Sequence, residues 1–284
     1  MKQQVVKKAY AKINLGLDVV GKLENGYHLL RTLMQQVDLY DVLTLTPEKE
    51  GIILSTNSEI VAADEDNIAY KAAKKMIEEF SLPGVKIHLE KRIPVAAGMA
   101  GGSTDAAAVL TGMNELFELG LPEGKLREIG VSLGADVPFC IMGHSALAEG
   151  IGEELTPISG MPEMCVLISK PPIMVSTKYV FEHLDIGNLE HPRIDEMLKA
   201  FADGDLDLAI SYMGNVLESV TAKKYPIIGE LKEKMLALGA KGALMSGSGP
   251  TVFGIFDCPS EAEKAEKALK SMYPDVFVQA AGLV

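Results

Sequence analysis

Residues 94–108, PVAAGMAGGSTDAAA, decide how this chain is interpreted, because a loop of small residues passes directly into an alanine-rich helix. Three glycines in the loop allow positive φ and a close approach of the backbone to a ligand; they are Gly98, Gly101 and Gly102. Ser103 or Thr104 can act as the N-cap of the helix. The free N–H groups and the positive end of the helix dipole would then face the same anion, so the segment predicts a phosphate-binding loop.

The loop differs from the two most familiar phosphate-binding motifs. It does not end in Gly-Lys-Ser/Thr, as a Walker A motif does, and it lacks the G-x-G-x-x-G of dinucleotide-binding folds and protein kinases. Glycine-rich turns also occur without any ligand. An ordinary tight loop before a buried helix is therefore the alternative interpretation.

Composition and charge limit the class of protein. The 284 residues and the 48% hydrophobic content are enough for a large core and for two domains. A formal net charge of −12 argues against a general binder of nucleic acid or anionic membranes, so an anionic substrate needs a local cationic site. Cys140, Cys165 and Cys258 lack C-x-x-C spacing, which favours reduced thiols over disulfides or a zinc site. With no signal-peptide pattern and no long apolar run, we expect a soluble cytoplasmic protein.

Hydrophobic periodicity and turn residues divide the first half of the chain into alternating strands and helices. The turn between the first two strands is assigned to Asn25-Gly26. The predicted elements are strands over 5–20, 27–37, 41–54 and 85–90, helices over 67–80, 104–119 and 123–133, and a short extended segment over 135–142.

The second half begins after a cluster of Pro and Gly at 156–163, which marks a domain boundary. Its predicted elements are strands over 164–169, 243–245, 251–256 and 276–281 and helices over 177–184, 194–201, 206–220, 225–238 and 260–271. This order suits an α+β sandwich of the ferredoxin-like type.

Four segments in this order resemble the GHMP kinases; they are residues 11–14 (AKIN), 94–107, 134–138 (GADVP) and 247–250 (GSGP). The resemblance spans nearly the whole chain. It implies a two-domain α+β fold, with an N-terminal domain over 1–157 that is similar to ribosomal protein S5 domain 2 and carries the ATP-binding glycine loop. The C-terminal domain over 158–284 would be the ferredoxin-like α/β sandwich.

Three pieces, 11–15 (AKINL), 25–28 (NGYH) and 133–138 (LGADVP), are most similar to the branch of the family that acts on a cytidine diphosphate polyol. The resemblance implies ATP-dependent phosphorylation of the 2-hydroxyl of that polyol, in non-mevalonate isoprenoid precursor biosynthesis, with ATP as co-substrate and Mg²⁺ as cofactor. The expected partners are these small molecules, with no nucleic acid and no membrane, and the chain would be a monomer or homodimer. The alternatives are a homoserine- or mevalonate-type kinase and a non-enzymatic nucleotide- or RNA-binding module on the same N-terminal fold.

Phosphoryl transfer to an alcohol needs a group that accepts or polarises the hydroxyl proton, and cations that spread the developing charge. Asp136 is the best candidate base, because it lies in an apolar segment where an unpaired carboxylate would be costly. Lys12, in an apolar strand, is its natural partner, and the resemblance implies a catalytic pair of Lys12 and Asp136. A structural ion pair or a helix-capping role for Asp136 is the alternative.

The resemblance also assigns the residues that bind ATP; they are Pro94, Ala97, Gly98, Met99, Ala100, Gly101, Gly102, Ser103 and Thr104. Magnesium would bridge the phosphates, with Ser103 or Thr104 as the direct protein contact, and no protein metal site is assigned. Asp105 stands where many GHMP kinases carry a small residue. Its role stays open between a charge at the helix N-terminus and an indirect magnesium contact.

The polyol substrate would be held by a further set implied by the resemblance; it comprises Asn14, Tyr27, His28, Asp136, Phe181, Gly247, Ser248 and Gly249. Tyr27 would stack on cytosine, His28 would bond to its edge, and Phe181, or instead Tyr179, would close the other side of the ring. The alternatives are a turn role for Asn14, hairpin packing for Tyr27, core packing for Phe181 next to Leu184, and a plain β-turn over 247–249.

Overall fold

The computed structural model describes residues 2–24 and 26–284, which form two compact units of α+β structure, as the sequence predicts. The first unit comprises residues 2–11, 39–95 and 100–143, and the second comprises the described residues of 12–38 together with 96–99 and 144–284. Two long strands, β1 (Val5–Lys22) and β2 (His28–Glu48), contribute residues to both units. The predicted domain boundary at residue 157 stays a prediction.

The first unit places helices against strands. After β2 its elements are β3 (Ile52–Thr56), α1 (Ile68–Phe80), β4 (Gly84–Glu90), α2 (Gly101–Leu116), α3 (Glu123–Val131) and α4 (Val137–Met142). The end of β2 pairs antiparallel with β4, and β3 pairs parallel with β4. Alternate residues of β4 are buried, as the sequence predicts for a half-buried strand, and they pack against the alanines of α1 and α2.

The helix α1 shows how local sequence sets an element. Asn67 is its N-cap and accepts a hydrogen bond from the backbone N–H of Ala69. Ala69, Ala72 and Met76 are buried on one face, as their spacing predicts. The helix therefore begins and ends where the periodicity indicates.

The second unit continues with two short strands, β5 (Ser145–Glu149) and β6 (Glu154–Pro157), followed by a mixed α/β region. That region comprises β7 (Cys165–Lys170), α5 (Thr177–Glu182), a 3₁₀ turn (Ile186–Asn188), α6 (Ile194–Ala202), α7 (Leu206–Ser211), β8 (Gly214–Asn215), α8 (Glu218–Lys224), α9 (Ile227–Ala237), β9 (Gly242–Met245), β10 (Val252–Phe256), α10 (Pro259–Met272) and β11 (Phe277–Gly282). The strands β11, β7, β10 and β9 form an antiparallel sheet in that order.

Three predicted elements are wrong. Residues 135–142 are not extended, because the apolar run from Val137 forms the helix α4, with Pro138 in its first turn. The predicted helix 206–220 is divided into α7, β8 and α8, because Gly214 leaves the helix and pairs with Gly16 of β1. The predicted strand 41–54 is the end of β2 plus β3, separated by a turn at Gly51, where φ is 75°.

The turn between β1 and β2 is described apart from Asn25, which lies outside the described residues. Gly26 has a φ of 88°, and its N–H donates to the carbonyl of Leu23. The N–H of Leu23 donates in turn to the carbonyl of Tyr27, so the chain reverses between the two strands. In the part of the chain that the structure describes, no helix combines the length and the apolar character needed to cross a membrane.

Candidate active site

Gly98 of the glycine loop lies in the second unit and packs directly against the backbone of Ser246 and Gly249. Its φ is 71°, and a Cβ at this position would collide with the carbonyl oxygen of Ser246. The hydroxyl of Ser246 donates to the carbonyl of Gly98 over 2.9 Å. Only glycine fits this conformation without strain, and the predicted positive φ is confirmed at this position.

The helix α2 begins three residues earlier than predicted, and this changes the roles of its first residues. Ala100 takes the N-cap position with no side-chain hydrogen bond, so the capping role predicted for Ser103 or Thr104 is wrong. Gly101 and Gly102 lie inside the first turn and do not have positive φ. The positive angles of the segment lie at Ala96, Gly98 and Ala100. The first N–H groups of α2 still have no partner within the helix, which keeps the anion-binding character of this end.

The side chains of Ser103 and Thr104 differ in their exposure to solvent. Thr104 is buried, whereas Ser103 is half-buried, with its hydroxyl 3.8 Å from the position that a Cβ on Gly134 would occupy. Across 2–24 and 26–284, no three His, Cys, Asp or Glu side chains converge as a metal site. A hydroxyl oxygen is a suitable ligand for Mg²⁺, and phosphates and water supply most of the other ligands of this ion. Of the two hydroxyls, that of Ser103 fits a magnesium–nucleotide complex better.

Asp105 belongs to a buried triad that the sequence did not predict. The ammonium of Lys91 donates to Asp105 over 2.9 Å and also forms an ion pair with Asp41 of β2. Asp41 additionally accepts the backbone N–H groups of Arg92 and Ile93. The triad therefore connects β2, the chain leaving β4 and the first turns of α2, the three elements around the start of the helix.

The charges of this triad do not balance when both carboxyls are ionised. Burial raises the pKa of the Asp105 carboxyl well above its usual range, and the neighbouring Asp41 carboxylate acts in the same direction, while Lys91 opposes both. One oxygen of Asp105 is buried and, within the described residues, receives no hydrogen bond. The burial, the raised pKa and the bond to Lys91 together give Asp105 a structural position at the start of α2.

Lys12 and Asn14 lie two residues apart on β1 and share one face of the strand. The ammonium of Lys12 donates to Oδ1 of Asn14 over 2.8 Å, and Nδ2 of Asn14 donates to the hydroxyl of Thr32 over 2.8 Å. Thr32 then donates to the carbonyl of Gly16, so the orientation of the Asn14 amide is fixed. Both residues are almost fully buried in the middle of the strand, and a turn role for Asn14 is wrong.

Asp136 lies in the first unit, directly before α4 and after the turn at Gly134. It occupies the N-cap position with helical backbone angles, φ −80° and ψ −13°, and its side chain makes no capping hydrogen bond. The alternative of a helix-capping carboxylate is therefore wrong. Its catalytic pairing with Lys12 stays a prediction.

The structure places His28 and Phe181 in contact. Their rings stack with centroids 5.0 Å apart and planes inclined by 26°. Burial lowers the pKa of the His28 imidazole, and the nearby charge of Lys22 lowers it further, so the ring is neutral at pH 7 and can both donate and accept hydrogen bonds. Phe181 and Leu184 also pack on the core of the second unit.

The two tyrosines considered for the same region have different surroundings. Tyr27 is 59% exposed at the end of the β1–β2 hairpin, which argues against a hairpin-packing role. Tyr179 instead stacks on His183 with centroids 3.9 Å apart and lies under the ammonium of Lys224. Of Phe181 and Tyr179, only Phe181 is seen stacked on His28.

The loop over 246–250 follows β9 and forms a tight turn, in which the N–H of Gly249 donates to the carbonyl of Ser246. Gly247 has a φ of 56°, and a Cβ there would lie 3.0 Å from the carbonyl oxygen of Gly98 and 3.5 Å from Oδ1 of Asn14. Residues 247–249 therefore do form part of a tight turn, as the alternative interpretation expects. The turn nevertheless brings bare backbone next to Gly98 and Asn14.

Several polar residues that sequence reasoning missed hold this loop. Asn215 donates to the carbonyls of Met245 and Gly247, and Thr221 donates to that of Ser248. The hydroxyls of Ser248 and Thr177 are hydrogen-bonded at 2.9 Å. The signal for Asn215 was the pair Gly214-Asn215 inside a predicted helix, since glycine and asparagine there indicate a break in the helix.

Two stretches of the chain match the two domain models of one protein family. Residues 67–144 match the GHMP kinases N terminal domain, and residues 197–275 match the GHMP kinases C terminal domain. The chain belongs to the GHMP kinase family.

Two relatives and one solved structure are named as the same kinase. A 4-diphosphocytidyl-2-C-methyl-D-erythritol kinase of Alkaliphilus metalliredigens is 50% identical over 274 residues, covering 95% of this chain and 94% of that protein. The corresponding kinase of Clostridium botulinum is 47% identical over 273 residues, covering 95% and 98%. A crystal structure of 4-(cytidine 5'-diphospho)-2C-methyl-D-erythritol kinase is 34% identical, with a TM-score of 0.83 over 98% of this chain and 99% of that one. A homoserine kinase of Cytophaga hutchinsonii, 19% identical with a TM-score of 0.79, shares the fold.

Proposed function

We propose that this chain transfers the γ-phosphoryl group of ATP to the 2-hydroxyl of 4-diphosphocytidyl-2-C-methyl-D-erythritol, a step of non-mevalonate isoprenoid precursor biosynthesis. The observation that carries this choice of substrate is the stacked pair of His28 and Phe181, which offers an aromatic face and a neutral imidazole to a base. Names of relatives at 47–50% identity agree with it. A homoserine or mevalonate substrate has no ring for these side chains to bind.

The chemistry forms one bond between the acceptor oxygen and the γ-phosphorus and breaks the bond between that phosphorus and the β,γ-bridging oxygen. ADP leaves with the electron pair, and the hydroxyl proton passes to Asp136 in our proposal. Lys12 supplies positive charge for the transferred group, and Asn14 orients it through the fixed amide. When bound, magnesium neutralises charge on the phosphates, and Ser103 would hold it.

The nucleotide would be held by main-chain groups rather than by side chains. In the proposed set, the side chains of Ala97 and Met99 are buried, and the carbonyl of Met99 accepts the N–H of Lys12. The remaining members of the ATP set are Pro94, Gly98, Ala100, Gly101, Gly102, Ser103 and Thr104. The backbone over 247–249 would face the transferred phosphoryl group. The cytoplasmic location and the oligomeric state stay predictions from the sequence.

ATP consumption measured with a panel of alcohols tests the proposed reaction. We expect turnover with the cytidine diphosphate ester and at most slow turnover with free methylerythritol, homoserine or mevalonate. The product should carry one new phosphomonoester on the 2-oxygen, detectable by ³¹P NMR. Faster turnover of homoserine or mevalonate than of the cytidine ester would refute the assignment.

The exposed ring of Tyr27 is expected to contribute to binding of the cytosine. Tyr27→Ala should weaken binding of the cytidine ester by about 1–3 kcal/mol, the usual value of one base stack, and leave ATP binding unchanged. Calorimetric titration of each ligand into the folded variant measures both effects. Val20→Ala is the matched control, because it removes another exposed apolar side chain, 55% accessible, from the same hairpin. Equal losses for both ligands would contradict the stacking role.

The start of α2 is expected to bind the phosphates of ATP. Gly102 is exposed in its first turn, and a Cβ there meets only a methyl of Ile68 at 3.3 Å, so a larger side chain would project mainly into solvent. Gly102→Val should raise the KM for ATP by roughly tenfold or more while the KM for the alcohol changes little. Gly124→Val, at an open helical position of α3, controls for the loss of helix propensity. An unchanged KM for ATP in the folded Gly102→Val protein would show that this turn does not hold phosphate.

A further inference from the structure

The side-chain amide of Asn215 donates two hydrogen bonds to the backbone at the start of the 246–250 loop, one to the residue before the loop and one within it. It is 7% exposed, and its Nδ2 donates to the carbonyls of Met245 and Gly247 over 2.8 and 2.7 Å. Its Oδ1 accepts the N–H of Leu217 over 3.0 Å. Both amide donors are therefore satisfied by main-chain carbonyls on each side of Ser246.

We propose that Asn215 is a positioning residue for phosphoryl transfer, which acts by holding the peptide between Gly247 and Ser248. This inference rests on the proposed function, in which the backbone over 247–249 faces the transferred phosphoryl group. The role is distinct from that of Lys12 or Asp136, because Asn215 acts through the loop and not on the substrate.

The planarity of the peptide bond explains how one hydrogen bond can aim a donor. The carbonyl of Gly247 and the N–H of Ser248 belong to the same trans peptide and point in opposite directions. A bond from Asn215 to that carbonyl therefore fixes the direction of the Ser248 N–H. Gly247 has a φ of 56°, in the left-handed region, and its Cβ position is 3.0 Å from the carbonyl oxygen of Gly98, so the peptide has little freedom on its other side.

The neighbours of Asn215 in α8 show that this stretch is built to support the loop. Glu218 accepts the N–H of Met245 over 2.7 Å and pairs with Lys232. Thr221 donates to the carbonyl of Ser248 over 3.1 Å. Glu218 and Thr221 lie three residues apart on one side of α8, and Asn215 lies in β8 just before this helix. Of these bonds, the one from Asn215 is made to the peptide between Gly247 and Ser248.

The test compares Asn215→Ala with Asn114→Ala. Asn114 also donates to and accepts from backbone, at Leu121, and lies at the other end of α2 from the glycine loop, so its loss controls for stability alone. The wild-type protein is first assayed with ATP and the cytidine ester. If it does not turn over, the proposed function fails. The positioning role of Asn215 is then decided by the hydrogen-exchange measurement described next. In Asn215→Ala, kcat per folded molecule should fall by about 10- to 100-fold, the expected effect of misplacing a group by about 1 Å, with both KM values within about threefold. Asn114→Ala should lower the midpoint of thermal unfolding without changing kcat per folded molecule.

A second measurement does not depend on activity. Hydrogen–deuterium exchange should be at least tenfold faster for the amides of residues 247–249 in Asn215→Ala than in the wild type, and unchanged there in Asn114→Ala. If the alanine variant does not fold, Asn215→Asp is used, because it keeps the acceptor for Leu217 and loses the two amide donors. Unchanged exchange in the loop, or a kcat per folded molecule within twofold of the wild type, would overturn the positioning role.

Discussion

The Asp136→Asn protein is expected to fold and bind both substrates normally and to turn over about two to four orders of magnitude more slowly. The amide keeps the size of the side chain and cannot accept the hydroxyl proton. Because the carboxylate makes no capping bond to α4, no helix cap is lost. The measurement is kcat with the cytidine ester, together with the thermal midpoint of unfolding.

Asp205→Asn is the matched control for this prediction. Asp205 also occupies a helix N-cap, that of α7, and accepts the N–H of Leu208, a bond that an amide oxygen can keep. It should leave kcat unchanged. Activity of Asp136→Asn within threefold of the wild type, about 0.7 kcal/mol, would be too small for a general base.

Lys91→Met is expected to destabilise the protein by about 3–5 kcal/mol, because it leaves two buried carboxyls without their cation. The side chain of Lys91 is 8% exposed, and those of its partners Asp41 and Asp105 are 0% and 3% exposed. Urea unfolding at pH 7 measures the loss. Lys270→Met changes the net charge equally but removes a surface pair with Glu266, which is expected to cost less than about 1 kcal/mol.

The loss in Lys91→Met should depend on pH in a defined direction. Lys91 lowers the pKa of the buried Asp105 carboxyl, so without the ammonium that pKa rises still further above its ordinary value. A carboxyl whose pKa is raised by folding destabilises the folded state progressively as the pH rises from the ordinary pKa to the raised one. The difference between wild type and variant should therefore shrink towards pH 4 and grow towards pH 7. A difference that is constant with pH would mean that the carboxyls do not face the lost cation.

The sequence was most informative where one local pattern determines one element. Asn67 before a run of alanines at helical spacing predicts α1, and the alternation in β4 predicts its buried face. The α+β class and the family followed from short motifs that are contiguous in the chain. Each of these motifs is a continuous stretch of sequence, so it can be recognised without any knowledge of tertiary contacts.

Prediction failed where tertiary contacts decide the local conformation. Residues 137–142 are apolar throughout, so periodicity cannot distinguish a buried strand from a buried helix. The apolar periodicity on both sides of Gly214 led to one predicted helix, although glycine is a poor helix former, and the pairing of Gly214 with Gly16 separates the two helices. The triad at Lys91 joins residues 50 and 14 positions away from it along the chain, a separation at which no sequence spacing indicates contact.

The contact between His28 and Phe181 has a consequence for ligand design. Two rings whose centroids are 5.0 Å apart leave no room for a third between them, since one planar ring with contacts of about 3.5 Å on each face needs about 7 Å. A heterocycle must therefore use the outer faces or wait for the pair to separate. In the second case the apparent affinity is reduced by the fraction of molecules that are open at any moment. A compound that spans the closed pair without parting it avoids that reduction, so a good inhibitor of this protein need not imitate its nucleotide substrate.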